Sequence, residues 1–388
     1  MKNPSYFTLA LISSILIYSC NQQSTSSSVD NPNLASISSN ATSGYQIDTD
    51  LGEKIDPNET ASTKAIEADF IQTLKDHTKN PPTQRPVHAK HHGVVKAIFK
   101  IDNHLIDDKY KVGIFAENNK EYKSWIRFSN GNPPGAASDT SPDVRGMAIK
   151  LMNVSGKKLL DSEANEQTQD FLMMNNSTFF IKSLDLYVTF TDAVKDGLSG
   201  LAKFALFHPG TTYNIYKIFT KQVANPLTTD FFSTTPYKLG STAIKFRAKP
   251  CQEESQSRPA NAGPNYLREA MVKTLNQKDA CYNFMVQFRK GSLNDMPVED
   301  STKEWDESAS PYIKVATITI PKQTFDTPEQ QKFAENLSFT PWHALPVHKP
   351  LGFTNRVRRV VYETISIFRH TQNNAPRREP SDFNINNR

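Results

Sequence analysis

In the segment RVRRVVYETISIFRH, residues 356–370, one tyrosine stands among several arginines. On a helix each residue advances by ~100°, so Arg358 and Tyr362 end roughly 40° apart and Arg358 and Arg369 roughly 20° apart. The three side chains therefore share a face. A guanidinium beside a phenol favours the phenolate and lowers its pKa, which makes the oxygen a usable ligand for ferric iron. The plainer alternative is a solvated helix face carrying one amphipathic ring. The N-terminal half supplies parts that favour the chemical reading. RPVHAK sets Arg85 three residues before His88. In KSWIRFS, Arg127 and Ser129 point to one side of a strand while Ile126 and Phe128 point to the other. DFLMMNNSTFFIKS places an asparagine pair before an aromatic run. A histidine, a hydroxyl, an amide and several arginines suit a pocket that binds a dicarboxylate and handles a small polar substrate.

Such a pocket needs elements to hold it. Ile66, Phe70, Ile71 and Leu74 recur at helical spacing between about Glu59 and Lys79. After the NPPTQRP breaker the pattern alternates with period two. GVVKAIFKI, KSWIRFS, RGMAIKLM and NSTFFIKS read as short strands separated by turns such as NGNPPG. Residues 189–220 are mostly helical, and strands return in AIKFRAK, CYNFMVQFR and YIKVATITI, with a helix at 264–275. Thr327-Pro328 caps a short helix running to Leu337, and a helix at 355–370 carries the arginines. The predicted class is α+β, an antiparallel β-barrel or sandwich with helices packed outside.

The chain has 388 residues, 37% hydrophobic and 22% charged, which fits a folded protein with a sizeable core. A net charge of +5, without a basic run interleaved with aromatics, argues against a nucleic-acid partner. The first twenty residues have a basic start, an apolar stretch too short to span a bilayer, and IYSC at the end. IYSC resembles a bacterial lipobox, which implies cleavage before Cys20 and lipidation of that cysteine; an ordinary secretory signal is the alternative. Residues 21–58 read as a flexible Ser/Thr/Asn-rich tether, 59–372 as one domain and 373–388 as a polar tail. An exported protein favours pairing of Cys251 with Cys281, against the alternative of two buried free thiols.

Four segments in order, RPVHAK, WIRFSNGNPPGAASDTSPDVRGMAIK, MMNNSTFFI and RVRRVVYETISIFR, make the chain resemble the catalase superfamily of haem proteins, in its shorter bacterial branch. The resemblance implies a catalase-like β-barrel and haem b as cofactor, with tyrosine as the iron's axial ligand. By position, Tyr362 would ligate the iron with Arg358 holding it as phenolate, and Arg369, Arg127 and Arg85 would bind the haem propionates. His88 would act on the distal side, oriented by Ser129. Asn175 would orient peroxide, and Val87 and Phe180 would form apolar walls. Asp143 and Arg145 are expected to be structural. The chain departs from the family pattern in Glu363-Thr364, where the tyrosine is usually followed by Asp-Thr, and in HHG after HAK.

The activity implied is a haem hydroperoxidase, catalase-like or peroxidase-like, acting on hydrogen peroxide or organic hydroperoxides with an electron donor the sequence does not specify. Rearrangement or oxygenation of lipid hydroperoxides is a second reading, and non-catalytic haem binding a third. The lipobox implies a membrane-attached protein of the periplasm or cell envelope, and the family resemblance is compatible with a homo-oligomer. A zinc site at His88, His91 and His92 would need a helix where the pattern reads as strand, and HExxH is missing. His343 and His348, among prolines in PWHALPVHKP, are read as structural.

Overall fold

The computed structural model describes residues 46–77, 82–132, 138–254 and 257–385. Cys20, the leader and most of the expected tether lie outside the described residues. Helix α1 (Glu59–His77) precedes four long strands: β1 (His91–Ile101), β2 (Glu121–Asn130), β3 (Arg145–Met152) and β4 (Thr168–Met174). Three helices follow, α2 (Leu184–Lys195), α3 (Gly197–Phe207) and α4 (Pro209–Phe219). The chain then returns through β5 (Phe231–Phe232), β6 (Tyr237–Leu239) and β7 (Thr242–Pro250). Helix α5 (Tyr266–Leu275), strands β8 (Ala280–Phe288) and β9 (Ile313–Ile320), and helices α6 (Pro328–Asn336) and α7 (Phe353–Gln372) complete it.

Every pairing is antiparallel, and the sheet closes because β5 pairs with β4 on one side and β7 on the other. The result is an eight-stranded barrel, with β6 as a short addition alongside β7. Alternation decides which side chains enter. Val95, Ala97, Phe99 and Ile101 of β1, Ile126 and Phe128 of β2, and Met147, Ile149 and Leu151 of β3 fill the interior. Rings of Phe99, Phe171, Phe246 and Phe284 meet there at 4.9–5.5 Å in mostly edge or tilted contacts. Each such buried ring contributes about 1.5–3 kcal/mol. A barrel filled this way holds no ligand, so chemistry must sit on its outer face.

The intervening residues of β2 and β3 supply that face, which α1, α6 and α7 help to cover. α7 begins at Gly352, whose φ of 84° and close approach to Val298 leave no space for a Cβ: one would fall 2.1 Å from the Val298 carbonyl oxygen. α1 packs on both α2 and α7.

Three expectations need correction. NSTFFIKS is not a strand; the Asn176 amide donates to the Thr178 carbonyl at 2.7 Å and turns the chain, while the preceding TQDFLMM forms β4. The tether ends earlier than residue 58, because Glu53 is buried against Arg356 at 2.9 Å and Lys349 at 3.1 Å. The expected polar tail is docked: Phe383 packs edge-on to Trp125 at 5.4 Å, and the Trp125 indole donates to the Asp382 carbonyl. The cysteine pair is as expected, with Cys251 bonded to Cys281 and their Cα atoms 5.4 Å apart.

Candidate active site

His88 sits just before β1 in the left-handed region at φ 56°, unusual for a residue with a Cβ. Its backbone is held from both ends. Its N–H donates to the Gly131 carbonyl at 2.9 Å, and the Arg127 guanidinium donates to its carbonyl at 2.8 Å. The ring Nδ1 lies 3.1 Å from Ser129 Oγ on β2. Beneath it, Gly146 of β3 faces Ser129 in register, and a Cβ there would fall 2.7 Å from His88 Nδ1. Gly146 is thus part of the site, although its role is invisible without the β2–β3 pairing. Burial, then Arg127, hold the His88 pKa down at about 4, so the ring is neutral at physiological pH. Arg358 from α7 also bears on His88, which ties the distal side to the helix that carries Tyr362.

Asn175 follows β4 and is buried. Its Oδ1 accepts from the Arg145 backbone N–H at 2.8 Å, which leaves the amide NH2 as the donor end for a ligand. Phe180 contacts Phe179 at 4.5 Å and Phe190 at 5.2 Å, and half-buried Val87 adjoins His88 in the chain. Asp143 accepts from the Gly131 and Asn132 backbone at 3.0 and 3.1 Å, the structural role expected of it.

On the other side, Tyr362 is half-buried against an apolar cluster containing Val144, Phe179, Tyr187, Val357 and Val361. The Arg358 guanidinium lies over the Phe179 ring at 5.5 Å and donates to Asn355 Oδ1 at 3.2 Å. Burial works to lower its pKa, but Tyr362, Tyr237 and Tyr187 outweigh burial and hold it raised. Arg358 thus stands one helical turn before Tyr362 on α7.

The remaining arginines divide. Arg369 donates to Glu335 Oε1 at 2.6 Å, and Arg85 reaches the same oxygen at 3.2 Å. Arg127, fully enclosed, is pushed well down by burial and then by Arg85, with Arg369 acting the same way and Glu335 opposing. Two guanidiniums thus share one carboxylate while Arg127 spends its own donors on the His88 and Ala89 carbonyls, and Arg127 Nε finds no hydrogen-bond partner among the described residues. Glu335, on α6, has no counterpart in the sequence reading; it lies 34 residues from Arg369 and 250 from Arg85. Arg356 and Arg359 belong to different pairs, with Glu53, Glu59 and Glu299 and with Asp161. Anion binding therefore accounts for only part of the arginine crowding on α7. His91 and His92 begin β1 and face different neighbours, so the three histidines do not share a helical face.

These residues fit a haem. The surplus positive charge and the orphaned Arg127 Nε match the two propionates, and the Tyr362 hydroxyl, one turn along α7 from Arg358, offers an oxygen ligand.

Residues 44–199 match the family model "Catalase". The chain is 30% identical over 165 residues to Catalase HPII of Pseudomonas aeruginosa, covering 39% of this chain and 21% of that protein. It is 30% identical over 161 residues to Catalase HPII of Pseudomonas putida, covering 39% and 20%. The chain thus aligns with about a fifth of the length of these curated relatives. Among solved structures, a fungal catalase matches with TM-score 0.55 and 17% identity, over 76% of this chain and 61% of that one. Catalase A from Saccharomyces cerevisiae matches with TM-score 0.54 and 17% identity, over 77% and 64%. The fold is the catalase fold, and residues 44–199 carry the sequence likeness to the catalase family.

Proposed function

We propose that this protein is a haem b-dependent hydroperoxidase that breaks down hydrogen peroxide or small organic hydroperoxides. The observation that carries the reading is a neutral histidine, braced by Ser129 over Gly146, in the same buried site as a surplus of guanidiniums and the Arg358–Tyr362 pair. Tyr362 would hold the iron, and Arg85, Arg127 and Arg369 the propionates. Haem, when bound, supplies the redox chemistry at which the O–O bond is broken.

The protein's own part is to bind, orient and move a proton. With Nδ1–H donated to Ser129 Oγ, His88 Nε2 is left as a base. It would take the proton from the hydroperoxide O–H and return it to the departing oxygen, so that water or an alcohol leaves. Asn175 Nδ2 would donate to a peroxide oxygen and fix its position. A second hydroperoxide or an organic donor would supply the two electrons that balance the cleavage. The leader ending at Cys20 supports an exported, membrane-attached protein, and the Cys251–Cys281 bond supports an oxidising compartment.

The test is oxygen release and hydroperoxide consumption by the haem-loaded chain. His88→Ala should cut turnover by about 10²–10⁴-fold with the haem absorption band retained. Turnover unchanged by that substitution, or no turnover with any hydroperoxide, would leave a haem-binding protein and remove the enzymatic reading.

A further inference from the structure

Helices α3 and α4 form a hairpin whose turn projects from the domain. Around that turn Leu206 is 73% exposed, Phe207 66% and Tyr213 56%. Among the described residues the other large exposed apolar side chains, Ile55, Leu105 and Leu293, are scattered singly. Three large apolar groups at one helical turn are costly to leave in water. The charges within the hairpin itself are all of one sign. Residues 197–229 contain Lys203, Lys217 and Lys221 and neither Asp nor Glu. Lys203 and Lys217 are exposed, and the Lys217 ammonium lies 5.1 Å from the centre of the Tyr213 ring.

We propose that the tip of the α3–α4 hairpin docks on an anionic lipid surface, with Leu206, Phe207 and Tyr213 entering the headgroup boundary and Lys203 and Lys217 meeting lipid phosphates. A tyrosine with lysines around an aliphatic tip is the composition of an interfacial segment, in which long cationic stems lie along apolar surface and keep their charge at the headgroups. A protein interface of this kind would place some acidic groups at its rim; here there are none in the hairpin. The sequence before Gln46 points the same way, with an apolar leader and the lipobox-like IYSC ending at Cys20. No described helix is long and apolar enough to cross a membrane, so this contact lies on the surface of the bilayer.

An aromatic row runs inward from the tip. His208 contacts Phe204 at 4.8 Å, Phe204 contacts Phe190 at 5.4 Å, and Phe190 contacts Phe180 at 5.2 Å. Phe180 is the proposed wall of the haem site. An apolar hydroperoxide leaving the bilayer would therefore meet apolar surface along the way, a consequence that rests on the haem reading, whereas the docking does not.

The test uses the full chain, with Phe207→Trp compared against Leu105→Trp, since native Trp125, Trp305 and Trp342 are buried. Vesicles of phosphatidylcholine and phosphatidylglycerol, with and without brominated acyl chains, read depth through quenching. The indole at position 207 should be quenched at least twofold and the one at position 105 should not. The effect should weaken about thirtyfold in vesicle affinity without phosphatidylglycerol, since each of the two lysines near an anionic surface contributes about 1 kcal/mol. Equal quenching at both positions, or none at 207, overturns the proposal. A homodimer dispersed by Leu206→Ser with Phe207→Ser, in chains that ignore vesicles, overturns it in favour of a protein interface. Haem content enters none of these readouts, so failure here is separable from failure of the haem reading.

Discussion

Two buried charged clusters lie on the outside of the same barrel, and they are built differently. In the first, Lys150 on β3 faces Asp170 on β4 in register at 2.7 Å and also reaches Glu379. His343 bridges Asp170 at 2.9 Å and Glu163, and Arg377 closes the group on Glu163 at 2.7 Å. Burial opposes protonation of His343, but Glu379 and Asp170 overcome it and raise its pKa to about 9. Three cations then meet three carboxylates. In the second cluster, Arg85 and Arg369 share Glu335 with Arg127 buried beside them, and the nearby histidines are held neutral. The first cluster balances its charges and ties the C-terminal segment to the barrel. The unbalanced one keeps unspent positive charge, which is the physical mark of a site for an anion.

The largest expected effect separates the two directly. Lys150→Met strands two buried carboxylates and should cost about 3–5 kcal/mol in urea unfolding. Arg85→Met removes charge where it is in surplus and should cost only about 1 kcal/mol in the haem-free chain. It should also weaken haem affinity about tenfold or more, the loss of one charged hydrogen bond. Equal destabilisation by the two substitutions would erase the distinction.

Next comes pH, with opposite signs. His88, held down at about 4, stays unprotonated in the native state while the unfolded chain takes up a proton below about pH 6.5; stability should fall as pH drops from 6.5 towards 4. His343 is raised, so its contribution is complete below about pH 6.5 and is lost as pH rises through about 9. Urea midpoints across pH should lose the alkaline limb, and keep the acid one, in His343→Asn. A more local effect is expected from Gly146→Ala, which forces a methyl group against the His88 ring. It should cost about 1–3 kcal/mol and lower peroxide turnover while leaving bound haem in place.

Much of this arrangement is legible in the sequence where local pattern and long-range pairing agree. RGMAIKLM becomes β3 from Arg145 to Met152 because its alternate residues have a filled barrel on one side. The alternation in KSWIRFS likewise puts Arg127 and Ser129 together on the site face, where Ser129 meets His88. The reading fails where burial comes from distant chain. TQDFLMM shows no clean alternation, since Asp170 on the outer face is covered by His343 and Lys150, while Gln169 on the opposite face is buried and accepts from the Leu345 backbone. NSTFFIKS has strand composition, yet its aromatic rings pack on α2 and α4 around a turn. Glu335 is a surface-like residue on a short helix until folding brings two arginines to it. The ends of the domain were misjudged for the same reason: Glu53 and Glu379 look solvated in sequence and are buried by Arg356 and Lys150.

The central claim is that the Tyr362 oxygen, with Arg358 beside it, is where iron is held. The most direct measurement is the absorption spectrum of the haem-loaded ferric protein against Tyr362→Phe. The account predicts a high-spin spectrum of tyrosinate character in the wild type and its loss in the variant, with haem still retained in part by the three arginines. Identical spectra in the two proteins would contradict it.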